Sequence, residues 1–310
     1  MGLVVDRDDV LEAAERIRGR VHRTPTFSSA TLGERVWLKA ELFQKTGSFK
    51  VRGVLNKLAS LGPEEKARGV IGISAGNHAQ ALAWGAASEG IDALLVMWQG
   101  ASEAKIEATR GYGAGVDLAA QDPASAFDRL TVLLAETGRT LVHPFDDPVV
   151  HAGAGTVALE LLEDAPEVRT IVVPTGGGGL VAGIAAAAPD RHVVAVEPKR
   201  SAAVHLGLAA GHSVPVTPDS IADGLSAPFA GDEALAVLKA HEVESVLVSE
   251  EEIEEAFRLL YSRAKLACEP AAAVGVAAVL AGKIESGPVG VVVSGGNVVA
   301  QTASAILARR

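Results

Sequence analysis

One lysine stands out as able to do chemistry. Lys50 lies in Lys45-Thr46-Gly47-Ser48-Phe49-Lys50-Val51-Arg52-Gly53, near the start of a helical stretch. An amine there feels the positive end of the helix field, and desolvation lowers its pKa further, which makes it an amine nucleophile for a Schiff base. A second string, Ser74-Ala75-Gly76-Asn77-His78, joins a strand to a helix. Ser and Asn are good N-caps, and the free N–H groups at such a junction suit a carboxylate. In Thr175-Gly176-Gly177-Gly178-Gly179-Leu180 the side chains are missing where a strand meets a helix. Consecutive N–H groups can close around an anion there, a phosphate above all. Ser294-Gly295-Gly296-Asn297 closes another strand.

No Gly-Lys-Ser/Thr follows the glycines, so the loop is not a nucleotide-triphosphate loop. A dinucleotide site is the rival reading. Gly177-Gly178-Gly179-Leu180-Val181-Ala182 matches G-x-G-x-x-G/A, and Glu197 follows Gly177 by twenty residues, where a ribose-binding acid belongs. An NAD-dependent dehydrogenase leaves Lys50 and the 74–78 string unexplained. A non-enzymatic amino-acid-binding protein leaves the lysine without a use.

The elements that must position these strings alternate along the chain. Continuous apolar runs at 70–74, 93–98, 140–143, 170–175, 192–197, 245–248 and 289–294 predict strands buried on both faces, as in a parallel sheet. Helical patterns fall at 10–18, 77–88, 103–112, 124–136, 156–162, 182–188, 250–265 and 271–280. This predicts an α/β architecture with right-handed crossovers. The chain has 310 residues, room for two domains at roughly 150 residues each. No linker divides it, so a second domain is expected to be inserted within the first.

Composition removes other classes. A net charge of −10, without a basic run, argues against nucleic acid. The longest nearly continuous apolar stretch, 271–282, is shorter than the roughly 20 residues of a membrane span. Met1-Gly2-Leu3-Val4-Val5-Asp6 carries neither a leader h-region nor a myristoylation signal. The lone Cys268 fits a reducing cytoplasm and excludes Cys-rich metal sites.

Together the four strings resemble the serine/threonine dehydratase family of pyridoxal-phosphate enzymes, of the tryptophan-synthase-β-like fold (fold type II). The likeness runs from His22-Arg23-Thr24-Pro25 to Ser294-Gly295-Gly296-Asn297, through His143-Pro144-Phe145-Asp146-Asp147, Val196-Glu197-Pro198, Ile221-Ala222-Asp223-Gly224 and Glu269-Pro270. The resemblance implies two three-layer α/β/α domains, a small substrate-binding one at 69–146 inserted between parts of a large cofactor-binding one at 1–68 and 147–310. It implies pyridoxal 5'-phosphate as cofactor and the dehydration and deamination of L-threonine or L-serine, or of another β-hydroxy amino acid. Lys50 would hold the cofactor and act as acid and base at the substrate's Cα. Phe49 would pack beside the ring, Asn77 would contact its hydroxyl and Ser294 its nitrogen. Gly176, Gly177, Gly178, Gly179 and Leu180 would bind the phosphate. Ser74, Ala75, Gly76, Asn77 and His78 would take the substrate carboxylate. Glu269 would lie near the cofactor, one residue after Cys268, itself read as a small buried hydrophobe. A cytoplasmic homodimer is the implied assembly, and the short C-terminal remainder implies no amino-acid feedback domain.

Several positions choose within the family. Val51 after Lys50 and His78 after Asn77 follow the dehydratase pattern, not that of the β-replacement enzymes. Serine racemases usually carry a second Ser as acid/base where this chain has Ala75. Many relatives complete a divalent-cation site with Asp where this chain has Ala203, so no metal is expected and Glu197 becomes structural. Relatives often read Ile-Ala-Gly-Gln-Gly-Thr where this chain reads His151-Ala152-Gly153-Ala154-Gly155-Thr156. That change fits either a pocket for a bulkier or more polar substrate or drift in an outer layer. His205, His212 and His241 are expected at the surface. Racemisation of L-serine should be negligible because the Ala75 methyl has no proton to give; rapid interconversion of L- and D-serine on chiral chromatography would refute this. Activity should survive a chelator, and a clear fall in its presence would contradict the absence of a metal.

Overall fold

Runs of Val and Ile make the inner strands, and polar breaks between them make helix caps. In the computed structural model, which describes residues 5–285 and 287–309, the chain starts with α1 (Arg7–Arg16). Asp6 caps it by accepting the N–H groups of Asp8 and Asp9. The first four residues, on which the expectation about a leader or myristoylation signal falls, lie outside the described residues. Next come β1 (Thr26–Ser28), β2 (Val36–Ala40), α2 (Lys50–Ser60) and α3 (Pro63–Arg68). An alternating stretch follows: β3 (Val70–Ile73), α4 (Asn77–Ser88), β4 (Ala93–Trp98), α5 (Glu103–Gly111), β5 (Gly115–Ala120), α6 (Pro123–Thr137) and β6 (Thr140–Leu141). The remainder is α7 (Pro148–Asp164), β7 (Thr170–Pro174), α8 (Gly179–Ala187), β8 (His192–Pro198), α9 (Ala203–Ala210), α10 (Asp232–Ala240), β9 (Glu244–Val248), α11 (Glu250–Leu259), α12 (Pro270–Leu280), β10 (Val289–Val293) and α13 (Ala300–Ala308). Among the described residues no helix is long and apolar enough to cross a membrane.

The strands form two sheets. One runs β1-β2-β10-β7-β8-β9, parallel except for β1; the other, β5-β4-β3-β6, is wholly parallel. The four-stranded sheet comes from one continuous stretch of chain, between β2 and β7 of the six-stranded sheet. Every residue of β3, β7 and β10 is buried. Successive residues serve opposite cores, as the pleat requires. Ile171 and Val173 join Val157, Leu161, Val181 and Ile184 on one side of the larger sheet, while Val172 and Val291 join Ile253, Phe257 and Val274 on the other. In the smaller sheet Val70 and Leu95 pack with Leu55 and Leu82, and Ile71 and Val96 with Leu130 and Leu133. The result is the α/β class expected, with each sheet covered by helices on both faces.

Three strands and several helices went unforeseen. β2 carries the buried Lys39 in an otherwise apolar run, and β5 is an edge strand holding Asp117, so neither reads as a continuous apolar segment. The helix expected at 156–162 begins at Pro148, because its first half contains His151, Gly153 and Gly155 and looks like a poor helix former. Those glycines permit contact between backbones. A Cβ at Gly153 would fall 2.6 Å from the Arg52 carbonyl oxygen, and one at Gly155 2.4 Å from that of Gly183. Helices α2 and α8 therefore lie directly against α7.

A buried ionic cluster joins the same elements. The Arg52 guanidinium, with no exposed surface, makes paired bonds to Glu41 (2.8 and 2.8 Å) and to Glu160 (2.8 and 2.8 Å). Lys39, equally buried, adds 2.7 Å bonds to Glu160 and to the Thr24 carbonyl. Two cations thus balance two carboxylates where water cannot help. Truncating the central cation strands two acids beside one lysine. Arg52→Met should therefore lower unfolding free energy by about 3–5 kcal/mol, read as a shift in urea midpoint. A loss below about 1 kcal/mol would contradict the closed charge balance.

Candidate functional site

All four strings leave the C-terminal ends of parallel strands: β2, β3, β7 and β10. That edge is where open α/β sheets hold ligands. Here it frames a cavity of about 850 Å³ lined by Phe49, Lys50, Ser74, Ala75, Gly76, Asn77, His78, Gly176, Gly177, Gly178, Gly179, Leu180 and Glu269. Ser294 is not among the lining residues. It is buried behind Phe49, whose N–H donates to its carbonyl at 3.1 Å.

Strand register sets the lysine. Val293 of β10 lies beside Ala40 of β2, so the segments that follow run together. Ser48 pairs with Gly295, and the Gly296 N–H donates to the Gly47 carbonyl at 2.9 Å. Gly47 has φ of +75° and no room for a side chain, since a Cβ would stand 2.5 Å from Asn297 Oδ1. The chain then enters α2 with Lys50 as its first residue. Lys50 Nζ donates to the Pro144 carbonyl at 2.6 Å and lies 5.1 Å from the Phe49 ring centre. Burial pushes its ammonium down to about 8, against the pull of Glu269.

The glycine loop is closed behind and open in front. Cβ atoms at Gly177 and Gly179 would meet the Phe145 ring at 2.3 Å and the Phe145 carbonyl oxygen at 2.8 Å. Gly178, at φ +100°, supplies the left-handed N-cap of α8. Among the described residues no partner takes the N–H groups of Gly176, Gly177, Gly178, Gly179 or Leu180. Five buried or half-buried donors without acceptors among the described residues, at a helix N-terminus, suit an anion.

Asn77 is held from both sides. Its Nδ2 donates to Glu269 Oε1 at 2.7 Å, and its Oδ1 accepts from Asn297 Nδ2 at 2.8 Å. Asn297 also donates to the Thr46 carbonyl at 2.7 Å, which ties this pair to the lysine loop. Burial, with Asp223 nearby, raises the Glu269 carboxyl to about 7 while the Asn77 amide opposes the rise. Ser74 Oγ accepts from the Gly76 N–H at 3.0 Å. The N–H groups of Ala75, Asn77 and His78 remain without partners among the described residues, at the start of α4. The His78 ring turns away from the cavity strings to the Val142 carbonyl, 2.8 Å from Nε2, and burial pushes its pKa down to about 3.

Some partners had no sequence signal. Lys105 of α5 reaches Asp223, in the segment between α9 and α10, at 2.5 Å, and both line the cavity. Glu197 is fully buried, and its oxygens accept from the Val204 and His205 N–H groups at 2.8 and 2.7 Å. It caps α9 and is not presented to a ribose, which removes the main support for a dinucleotide site. His205 and His241 are half-buried rather than at the surface, and His205 Nδ1 lies 3.0 Å from Ser245 Oγ. Cys268 is buried, and burial pushes its thiol up to about 12.

Comparison with known proteins agrees with this geometry. Residues 17–295 match the family described as pyridoxal-phosphate dependent enzyme. L-threonine ammonia-lyase of Thermotoga maritima is 40% identical over 305 residues, 95% of this chain and 76% of the relative. A catabolic L-threonine dehydratase of Staphylococcus aureus is 42% identical over 313 residues, 95% of this chain and 90% of the relative. The solved structure of maize serine racemase superposes with a TM-score of 0.92 at 37% identity, covering 97% of this chain and 96% of the other. A lysine amine and a free N–H cradle, joined in one cavity at the strand ends, thus occur in a chain that belongs to the pyridoxal-phosphate dependent enzyme family.

Proposed function

We propose that this chain is an ammonia-lyase that dehydrates and deaminates L-threonine, L-serine or both, giving 2-oxobutyrate or pyruvate plus ammonia. The observation that carries this reading is the pairing of a desolvated Lys50 amine with five unpartnered N–H groups on the loop opposite. An amine suits the cofactor's aldehyde and the N–H row its phosphate, so the residues present fit pyridoxal phosphate. When bound, that group supplies the electron sink for breaking bonds at Cα and Cβ.

The chain's own groups do the rest. Gly176, Gly177, Gly178, Gly179 and Leu180 bind the phosphate through N–H groups. Asn77, fixed by Glu269 and Asn297, meets the ring hydroxyl. Phe49 would pack beside the ring, and Ser294, next to Phe49 and 4% exposed, would offer the ring nitrogen a neutral hydroxyl. The free N–H groups of Ala75, Asn77 and His78 bind the substrate carboxylate; the Gly76 donor is already used by Ser74. Lys50 Nζ would hold the cofactor and, once displaced by the substrate's own amine, would be free to take the Cα proton. Loss of that proton and of the β-hydroxyl amounts to loss of water, and the enamine left hydrolyses to the 2-oxo acid and ammonia. The likeness to a serine racemase favours racemisation as second reading, but Ala75 carries no proton for the face opposite Lys50. We assign residues 69–146 to the substrate-binding domain, and 1–68 with 147–310 to the cofactor-binding one. A cytoplasmic homodimer completes the proposal.

A panel of β-hydroxy amino acids, assayed for 2-oxo acid and ammonia, tests the reading. Threonine or serine should be turned over and Lys50→Ala should lose that activity by several orders of magnitude. Capture of pyridoxal phosphate by the apoenzyme should quicken as pH rises through about 8, because the free-amine fraction of Lys50 grows there. A colourless protein unchanged by added pyridoxal phosphate would count decisively against it.

A further inference from the structure

The turn between β6 and α7 touches both the lysine and the glycine loop. Its Pro144 carbonyl holds Lys50 Nζ at 2.6 Å. Its Phe145 ring and carbonyl fill the space behind Gly177 and Gly179. Its Asp146 carboxylate accepts from the N–H groups of Asp232, Glu233 and Ala234 at the start of α10. A small shift of Phe145 would therefore move both the anchor of the lysine and the back wall of the anion cradle.

Two imidazoles hold Phe145. His143 Nδ1 accepts from the Phe145 and Asp146 N–H groups at 3.3 and 2.8 Å, so that nitrogen carries no proton. His151 stands 2.7 Å from the Phe145 carbonyl through Nε2. A carbonyl only accepts, so Nε2 must carry the proton. His151 has no exposed surface, its Nδ1 has no partner among the described residues, and burial lowers its pKa. Its backbone packs directly against α8, since a Cβ at Gly183 would stand 2.1 Å from the His151 carbonyl oxygen. The donor is thus mounted on the contact between two helices and aimed at the middle carbonyl of the turn.

We propose that His151 is a positioning residue for cofactor capture and proton transfer by Lys50, acting through the Phe145 carbonyl. The proposal rests on the pyridoxal-phosphate reading of the site above. It concerns a residue that matches nothing in the resemblance, since relatives often carry Ile there.

His151→Leu removes the donor at similar bulk, and His151→Gln restores an N–H on a chain of comparable reach. The dissociation constant of pyridoxal phosphate, titrated into apoenzyme by visible absorbance, should rise about tenfold in H151L, the cost of one buried acceptor left unpaired. In H151L kcat on L-threonine or L-serine should fall further than KM rises. H151Q should recover the affinity to within about threefold of the parent, which a purely steric role would not give. Native affinity and kcat in H151L would overturn the proposal, as would equal losses in H151L and H151Q matched by equal falls in Tm. The parent protein gives a reading that needs no variant. Nitrogen-15 spectra of labelled histidine should show His151 as the Nε2–H tautomer, with a shift that moves when the apoenzyme takes up pyridoxal phosphate. The other tautomer, or an unmoved shift, would overturn the proposal. Lys50→Ala separates the two levels: if it captures the cofactor as tightly as the parent, the reading of the lysine fails and the His151 proposal with it, whereas weak capture by Lys50→Ala beside native capture and kcat in H151L overturns the His151 proposal alone.

Discussion

Two residues after the site lysine, a guanidinium with no access to water binds two carboxylates at once. Arg52 can be buried only because Glu41 and Glu160 meet it in paired geometry and Lys39 balances the remaining charge. Each partner comes from a different part of the fold: the turn after β2, helix α7 and strand β2 itself. The first turn of α2 is therefore referred to the sheet and to the helix packed above it. Lys50 inherits that reference. A flexible amine needs a fixed root if it is to meet both a cofactor and a substrate proton, and the ion cluster supplies the root within a single helical turn.

Around that root the site works with dipoles more than with charges. The anion cradle contains no cation; its five N–H groups and the end of α8 provide the field. The start of α4, the proposed site of the substrate carboxylate, likewise offers N–H groups. His78 and His143 sit near Lys50 and are neutral near pH 7, pushed down to about 3 and about 4 by burial, with the Lys50 charge adding to the effect. Neutral imidazoles do not oppose the lysine charge and still hold carbonyls and N–H groups in place. The net charge of −10 consequently says little about the substrate. In the proposed site, local donors rather than the overall field would meet its carboxylate.

Glycine serves three separate ends here. In the 176–179 loop its absent side chains make room for Phe145 behind and an anion in front. At Gly47 it provides a left-handed turn against Asn297. At Gly153, Gly155 and Gly183 it lets α7 lie against α2 and α8 with backbones in contact. Only the first use is visible as a motif. The last one hid the N-terminal half of α7, because helix propensity penalises glycine whether or not a neighbouring helix requires it.

The sequence by itself determined the class of fold, the four strings and the lysine among them. Continuous apolar runs report burial on both faces, and a run of glycines before a helix reports free N–H groups; both signals are local. Tertiary structure decided the partners. That Asn77 is gripped by Glu269 and Asn297, that Lys105 spans to Asp223, and that Glu197 caps α9 instead of facing a ribose all depend on distances between residues remote in the chain. The same holds for β2, whose buried Lys39 finds its partner, Glu160, 121 residues away. It holds for His151, which sequence could mark only as a departure from relatives. Periodicity encodes how deeply a residue is buried, whereas the partner it finds there is set by the packing of elements that periodicity does not describe.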